Sequence, residues 1–560
     1  MANNNNKEIT LLGTTNFRGN PVQFGITQQD RLYHCYIIGK AGSGKSTLME
    51  NMCYSDIIKG RGVGLIDPHG EFAEKLLDYI PRDRIKDVVY INPSDIDWPV
   101  AFNIIEEVSP EMRHIVKSGL MSVFKKIWPD VWSARMEYIL SNTILALLEY
   151  PGATLLSINR MLSDKHYRKT VLNHVTDAVV KSFWYSEFDK YNEKFQTEAI
   201  APIQNKVGQF ISNPLIRNII GQVDTKIDMR KIMDEKKILI VNLSKGLTGE
   251  ENSALLGALI ITKIQLAAMS RADVSTETRD PFYLYIDEFQ TFSTESFANI
   301  LSEARKYKLN LILAHQYINQ LDDTVKDAVF GNVGNLISFR IGIEDALFLE
   351  KEFEPEIHAQ DLINLPSYYF YIKMMIDNMP ARPFMARELG PLAPSKETFR
   401  TEIIDNCHNL YSTPRENVEE YIKKWSALEF VPSNNKPTPR SQTEYWQATC
   451  SRCGTKTLVP FQPDPTRPIY CEKCFTWLKT QQQNTQPSIS TLQNNNSNFN
   501  TNNNILLSNQ QNISNSQNIT KESKNITKES NKENKSIHTK SKPSPDTTGL
   551  KHLLKNLFNK

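Results

Sequence analysis

Charge of one sign is the first thing this sequence lacks: 65 Lys and Arg nearly cancel 63 Asp and Glu, leaving a formal net charge of +2 over 560 residues. A polybasic or polyacidic molecule is excluded, so any surface for a polyanion must be local. Long apolar runs are missing too. The nearest approach, Ser253 to Ser270, carries Lys263 and Gln265 in its middle and reads as a buried helix. The opening residues, MANNNNKEIT, lack the basic-then-apolar pattern of a secretory leader. A cytoplasmic protein is expected. Cysteine is scarce, seven in 560 residues, which rules out a disulfide framework. Four of the seven stand at metal-binding spacing, as suits a reducing compartment.

What is present is ordinary for a soluble globular chain, with 40% hydrophobic and 23% charged residues. The length exceeds one hydrophobic core, so two or three folded units with tails are expected. From Arg31 to about Pro394, short apolar runs alternate with helical patterns, the mark of a parallel α/β sheet. The runs predict strands at His34–Ile38, Gly62–Ile66, Val88–Ile91, Ile238–Leu243, Phe282–Ile286, Asn310–Ala314 and Leu336–Gly342, with a further one at Tyr369–Ile376. Several are uninterrupted, as strands covered on both faces should be. Between about Glu107 and Gly221 the alternation stops. Segments such as HIVKSGLMSVFKKIW and MEYILSNTILALLEY repeat apolar residues every three to four positions and predict an all-helical insertion standing as a second lobe.

Gly39-Lys40-Ala41-Gly42-Ser43-Gly44-Lys45-Ser46, followed by Thr47, fits GxxxxGK[ST] between an apolar strand and a helix. In that context glycines let backbone N–H groups wrap phosphates, aided by the positive end of the helix. Lys45 is expected to reach the β- and γ-phosphates of ATP, and the Ser46 hydroxyl to hold Mg²⁺. A second apolar strand ends in Asp287-Glu288, which sets two carboxylates at the sheet edge where ligands bind. Asp287 is expected to hold Mg²⁺ through water, and Glu288 to act as general base. The next strand ends in His315-Gln316. An amide there is placed to sense the γ-phosphate, whereas His315 reads as a structural histidine. Arg305, before that strand, and Arg340, within the following one, are candidates for an arginine supplied to a neighbouring subunit's site, a role worth roughly 10³–10⁵ in rate. The alternative for Arg305 is a solvated charge in the run ARKYK.

Taken in order, IIGKAGSGKST, GVGLIDPHGEF, NPSDIDWPVAFNII, YLYIDEFQTF, SEARKYKLNLILAHQYINQL and FGNVGNLISFRIG resemble the HerA/FtsK superfamily of RecA-like translocases. They look most like its conjugative branch, the TraG/TraD-like coupling proteins of type IV secretion. The resemblance runs from about Leu11 to Ala393. It implies a RecA-like P-loop core, a hexamer with ATP between subunits, and DNA in the central channel. It also implies that the helical insertion is the all-α domain that helps select DNA. By position, Lys45 and Ser46 match the phosphate loop, Asp287 and Glu288 the second ATPase motif, Gln316 the sensor glutamine, and Arg305, eleven residues before it, the arginine acting in trans. Asp67-Pro-His69-Gly-Glu71 is similar to a turn of HerA relatives and reads simply as a tight turn with Gly70 at a special dihedral. Members of the branch commonly begin with transmembrane helices. None is legible here, so a peripheral place at the inner face of the plasma membrane, beside membrane secretion components or a relaxase or nuclease, is expected. Two alternatives stand beside DNA transfer: an ATPase powering secretion-system assembly or protein export without DNA, and a DNA-end-processing motor with a nuclease partner.

Cys450-Ser-Arg-Cys453 and Cys471-Glu-Lys-Cys474, seventeen residues apart, can close a tetrahedral structural Zn²⁺ site, and the module resembles a zinc ribbon. So small a module should draw most of its folding energy from the metal. The module's role is open between DNA contact, through Arg452, Lys456 and Arg467, and protein docking, with a plain solvated basic surface as the alternative. Cys35, Cys53 and Cys407 read as buried fillers. From about Gln481 to Asp546 the chain is dominated by Asn, Gln, Ser and Lys, and disorder is expected. Leu550, Leu553, Leu554, Leu557 and Phe558 then share one face of a terminal amphipathic helix, suited to docking on a protein or an anionic membrane. The expected organisation is an N-terminal extension (1–30), a core in two parts (31–106 and 231–394), the helical insertion (107–230), a helical segment and linker (395–445), the zinc module (446–478), a disordered stretch (479–546) and the terminal helix (547–560).

Overall fold

The structure, a computed structural model, describes residues 9–427 apart from 18 and 107, and 446–483 apart from 460, 461 and 465. The stretch expected to be disordered from 479 is instead helical as far as Gln483; its remainder, the linker expected before the zinc module and the expected terminal helix lie outside the described residues. Two compact units divide at 438/439.

The larger unit is built on one eleven-stranded sheet. Its strands are β1 (Ile9–Phe17), β2 (Asn20–Thr27), β3 (Cys35–Ile38), β4 (Gly62–Asp67), β5 (Val88–Ile91), β6 (Ile238–Asn242), β7 (Phe282–Ile286), β8 (Leu309–His315), β9 (Asn335–Ser338), β10 (Tyr369–Lys373) and β13 (Phe384–Glu388), with a small hairpin of β11 (Met375–Ile376) and β12 (Met379–Pro380) between the last two. The order is β2-β1-β13-β10-β9-β3-β8-β7-β4-β6-β5. From β9 to β5 neighbours pair parallel, while β10, β13, β1 and β2 extend the sheet antiparallel.

Every strand predicted from an apolar run is present. The alternating side chains of each run divide between two cores, one on each face. Tyr36, Ile38, Leu239, Val241, Leu284 and Ile286 join one, and Ile37, Ile238, Ile240, Tyr283 and Tyr285 join the other. The period of two along a strand buries such a run on both sides. The sequence reading missed β1, β2 and β13. These strands are half-exposed: Ile9, Leu11, Val22 and Met385 face outward. Their pairing also rests on close backbone approach, since a β-carbon on Gly25 would lie 2.3 Å from the Thr10 carbonyl oxygen.

The chain leaves the sheet after β5 and returns at β6 through helices that include Pro110–Ile127, Ala134–Leu147 and Glu193–Ser212. The helical character is as expected, but the insertion does not keep a core of its own. One continuous cluster runs from Tyr36 and Ile38 through Val116, Phe124, Ile139 and Leu147 to Leu255. Glu250–Ser270 is the one helix among the described residues long and apolar enough to cross a membrane. It carries that cluster: Leu255, Leu259, Ile260 and Ile264 are buried in it. Beyond the sheet, Arg400–Tyr411 buries Ile403 and Cys407 against the opposite face, while Val418 and Ile422 of Arg415–Ala427 pack on Leu156 of the insertion.

The smaller unit holds a hairpin of β14 (Trp446–Thr449) and β15 (Lys456–Val459), followed by the helix Glu472–Gln483.

Candidate nucleotide site

Parallel pairing brings the carboxyl ends of β3, β4, β7 and β8 to one edge, the place where open α/β sheets bind ligands. The Gly39–Ser46 loop leaves β3 there. Gly42 (φ +70°) and Gly44 (φ +124°) take dihedrals that side chains rarely adopt, which is why glycine stands at both. Neighbouring segments pin the loop through backbone bonds: Gly39 N–H donates to His315 O at 3.4 Å, Lys40 N–H to Arg340 O at 2.9 Å, and Tyr368 N–H to Ser43 O at 2.8 Å. Lys45 opens the helix Lys45–Ile58, and its Nζ donates to Gly39 O at 2.6 Å. Burial lowers the Lys45 pKa, opposed by the negative charges of Glu288 and Asp287.

Asp287 is 8% exposed, and its Oδ1 accepts from Glu288 N–H at 3.0 Å. Burial, then Glu288, then Asp67 push its carboxyl up to about 7, with Lys45 acting the other way. Glu288 has φ +45°, a strained backbone for a non-glycine residue. Two amides hold its carboxylate: Gln316 Nε2 donates to Oε1 at 2.6 Å and Gln290 Nε2 to Oε2 at 2.8 Å. Two carboxylates, Glu288 and Asp287, act on the Lys45 ammonium, with Asp67 adding negative charge beside Asp287, a surplus that a divalent cation would neutralise. Together with the Ser46 hydroxyl on the wall of the same cleft, they fit Mg²⁺.

The cleft measures about 550 Å³, and its walls include Gly44, Lys45, Ser46, Thr47, Asp287, Glu288 and Gln316. Lysine loop, acidic strand end and strand-end glutamine, all picked out by motif, thus meet in one place. His315 stays out of it, buried between Tyr36, whose hydroxyl it contacts, and Phe289. Burial drops its pKa to about 3, which fits a structural histidine. Arg340 adjoins the loop through its carbonyl. Arg305 lies at the far end of β8, exposed, with its guanidinium 3.8 Å from the centroid of the Tyr33 ring, and is not part of this chain's cleft.

Several residues of the cleft, and others beside it, escaped the sequence reading. Gln290 carries no motif signal beyond following Glu288. Tyr368 and Glu388 arrive through tertiary pairing. His69 and Glu71 of the Asp67–Glu71 turn line the cleft, as do Glu50 and its ion-pair partner Lys75. Asp67 itself is occupied, accepting from the N–H groups of His69 and Ala73 at 2.8 and 3.0 Å.

In the smaller unit the sulfurs of Cys450, Cys453, Cys471 and Cys474 lie within 4.8 Å of one another. Donation from the Cys471 and then the Cys453 backbone lowers the Cys450 thiol to about 6, toward the thiolate a zinc ion requires. The four-sulfur set fits Zn²⁺ with no position left open. The expected ribbon hairpin is there, but the second cysteine pair sits at the start of a helix, which makes the arrangement that of a treble clef. Two of the basic residues considered for DNA contact are engaged within the module. Arg452 stacks on Trp477 at 3.2 Å, and Arg467 lies 3.7 Å from Asp464.

Comparison with known proteins gives matches to both units. Residues 15–264 match the family described as helicase HerA, central domain. Residues 443–479 match a probable treble clef zinc finger. A curated relative, the type 4 coupling protein DotL of Legionella pneumophila, is 22% identical over 369 residues, covering 55% of this chain and 46% of that protein. The chain therefore spans about half the length of the curated relative it matches. Among solved structures, the bacterial conjugative coupling protein TrwB in a sulphate-bound trigonal form superposes with a TM-score of 0.51 at 14% identity, over 70% of this chain and 91% of that one. The same protein with ADP and Mg²⁺ gives 0.49 over the same shares. At such identity the likeness speaks for the fold.

Proposed function

Because the chain is a P-loop NTPase of the HerA/FtsK type, most like the type IV coupling proteins, we propose that it hydrolyses ATP in a hexameric ring to drive DNA toward a type IV secretion channel. The observation that carries the ATPase part is the convergence of Lys45, Asp287, Glu288 and Gln316 on one cleft.

In this reading the Lys45 ammonium exchanges the Gly39 carbonyl for the β- and γ-phosphates, while backbone N–H groups of Gly42 to Lys45 wrap the phosphate chain. Ser46 and Asp287 would hold Mg²⁺, which when bound offsets charge on the phosphate oxygens. Glu288 orients and deprotonates the attacking water. Its two amide partners fix the carboxylate so that little reorganisation is needed at the moment of attack. Gln316 touches the base and ends β8, so it is placed to relay the loss of the γ-phosphate into that strand. Arg305, exposed at the other end of β8, would serve a neighbouring subunit's site, with Arg340 as the second candidate.

DNA as cargo, the secretion-channel partner and a peripheral place at the membrane rest on the likeness to coupling proteins. The decisive experiment is ATP turnover titrated with single-stranded and duplex DNA at two salt concentrations. A rise in rate with DNA, and binding that weakens steeply with salt, is the expected result. Turnover indifferent to every DNA form would leave the alternative of an assembly or protein-export ATPase. Absence of ATP binding, with Lys45→Ala no different from wild type, would sink the reading altogether.

A further inference from the structure

Beside the phosphate cleft lies a second one of about 910 Å³, bounded by Thr14, Asn16, Tyr368, Glu388, Gly390 and Pro391. Tyr368 lines both, so the two adjoin at its half-exposed ring. Strand β13 delivers Glu388 to the junction. Its backbone is fixed, N–H donating to Tyr368 O at 2.9 Å and pairing in register with Gly13 of β1. Its side chain is 7% exposed, and Oε2 has no hydrogen-bond partner. That carboxyl presses on the phosphate loop: a β-carbon on Gly44 would lie 2.6 Å from Oε2.

A buried, unpaired carboxyl is costly, and structures keep such groups where a ligand satisfies them. The ligand here is anionic at its phosphates, so an ionised Glu388 would oppose it, whereas the acid form offers an O–H donor. We propose that Glu388 is a positioning residue for the nucleotide, its carboxyl donating a hydrogen bond to an oxygen of the ribose–α-phosphate segment as the nucleoside enters the second cleft. This inference rests on the nucleotide-binding reading above and adds the nucleoside subsite to it.

The surroundings are consistent with an acid form. Burial, then the Glu50 carboxylate, push the Glu388 pKa up to about 8. Glu50, on the helix Lys45–Ile58, is ion-paired to Lys75. Tyr368 faces Glu388 from the preceding strand start, and the exposed neighbour Arg387 turns to the Tyr369 ring, 5.9 Å from its centroid. β1 contributes uncharged Gly13 and Thr14 at this point. Because the bound form holds the proton, affinity is unaffected by this group below about pH 8. Above that value it falls as the free protein loses the proton.

The test is equilibrium binding of a fluorescent ADP derivative with magnesium to the full chain, from about pH 6.5 to about pH 9.5. Wild type is expected to hold its Kd up to about pH 8 and then weaken by up to roughly tenfold per pH unit. Glu388→Gln, a neutral donor at every pH, should fold alike, bind near pH 7 like wild type and lose the alkaline limb. Glu388→Ala should bind on the order of tenfold more weakly at neutral pH. An alkaline limb identical in Glu388→Gln and wild type, or an alanine variant with wild-type affinity, overturns the proposal alone. Failure of wild type to bind at any pH would instead strike the function it rests on.

Discussion

Gln316 at the end of β8 donates a hydrogen bond of 2.6 Å to Glu288 at the end of β7, joining two adjacent parallel strands at the tip of the acidic motif. One strand thus carries the candidate base, and the other the group that orients it. Glu288→Gln should keep nucleotide affinity and lose kcat by about 10²–10⁴, since a neutral amide cannot take the proton from water. Gln316→Ala leaves the base ionisable but loosely held, so its kcat should fall by less while KM stays near wild type. Steady-state turnover alongside nucleotide binding measures both. A Gln316→Ala variant that loses binding rather than turnover would move the residue from orienting the base to holding ligand.

Asp56 sits at the centre of a buried ionic cluster beneath the sheet. Its Oδ1 accepts from Arg31 at 2.7 Å and Arg61 at 2.8 Å, and its Oδ2 from the Tyr285 hydroxyl at 2.6 Å. Removing one carboxylate from buried guanidiniums leaves uncompensated charge, worth about 3–5 kcal/mol. Asp56→Ala should destabilise the larger unit by that amount in denaturant unfolding, with Asp56→Asn intermediate. A loss under about 1 kcal/mol would mean that water or a neighbour replaces the carboxylate.

Legibility in the sequence followed burial. Strands β3 to β9 were readable because both faces are covered, so each is a plain apolar run such as FYLYI or LNLILAH. The two-faced apolar character also explains why the long helix from Glu250 resembled a membrane span while lying in the core. β1, β2 and β13 were not readable, since their half-exposed patterns acquire meaning through pairing that links Gly13 to Glu388 across most of the chain. The site divides in the same way. Asp287, Glu288 and Gln316 stand at strand ends and Lys45 at a helix start, all in local motifs. Gln290 and Glu388 matter through where the fold sets them, and Tyr368 through a left-handed backbone (φ +70°) that lets its N–H reach Ser43 O.

Zinc should be a condition of folding for the smaller unit rather than an accessory. Its described apolar residues are few: Ala448, Cys450, Val459 and Cys474 are buried, whereas Leu458, Phe475 and Trp477 face solvent. With so little core, the four thiolates supply the organising energy. Chelation at neutral pH should release one zinc per chain and open residues 446–483 to protease while the sheet stays protected. Cys471→Ser should reproduce this without chelator. A module equally protected with and without metal would contradict the assignment.

Arg305 offers the sharpest test of assembly, because its place in one chain cannot explain a catalytic role. The guanidinium stacks on Tyr33 at the end of β8 opposite Gln316, so it cannot act in the cleft its own subunit builds. If it completes a neighbour's site, Arg305→Ala should leave nucleotide affinity intact and lower kcat by roughly 10³ or more. Mixing Arg305→Ala subunits with Glu288→Gln subunits should then restore part of the turnover that neither makes alone, since an intact cleft on the first receives its arginine from the second. Tyr33→Ala, which removes the ring but keeps the charge, should lower turnover far less. Unaltered turnover in Arg305→Ala, alone or in mixed rings, would assign Arg305 to a solvated surface charge, and the search for the trans arginine would pass to Arg340, whose backbone already touches the phosphate loop.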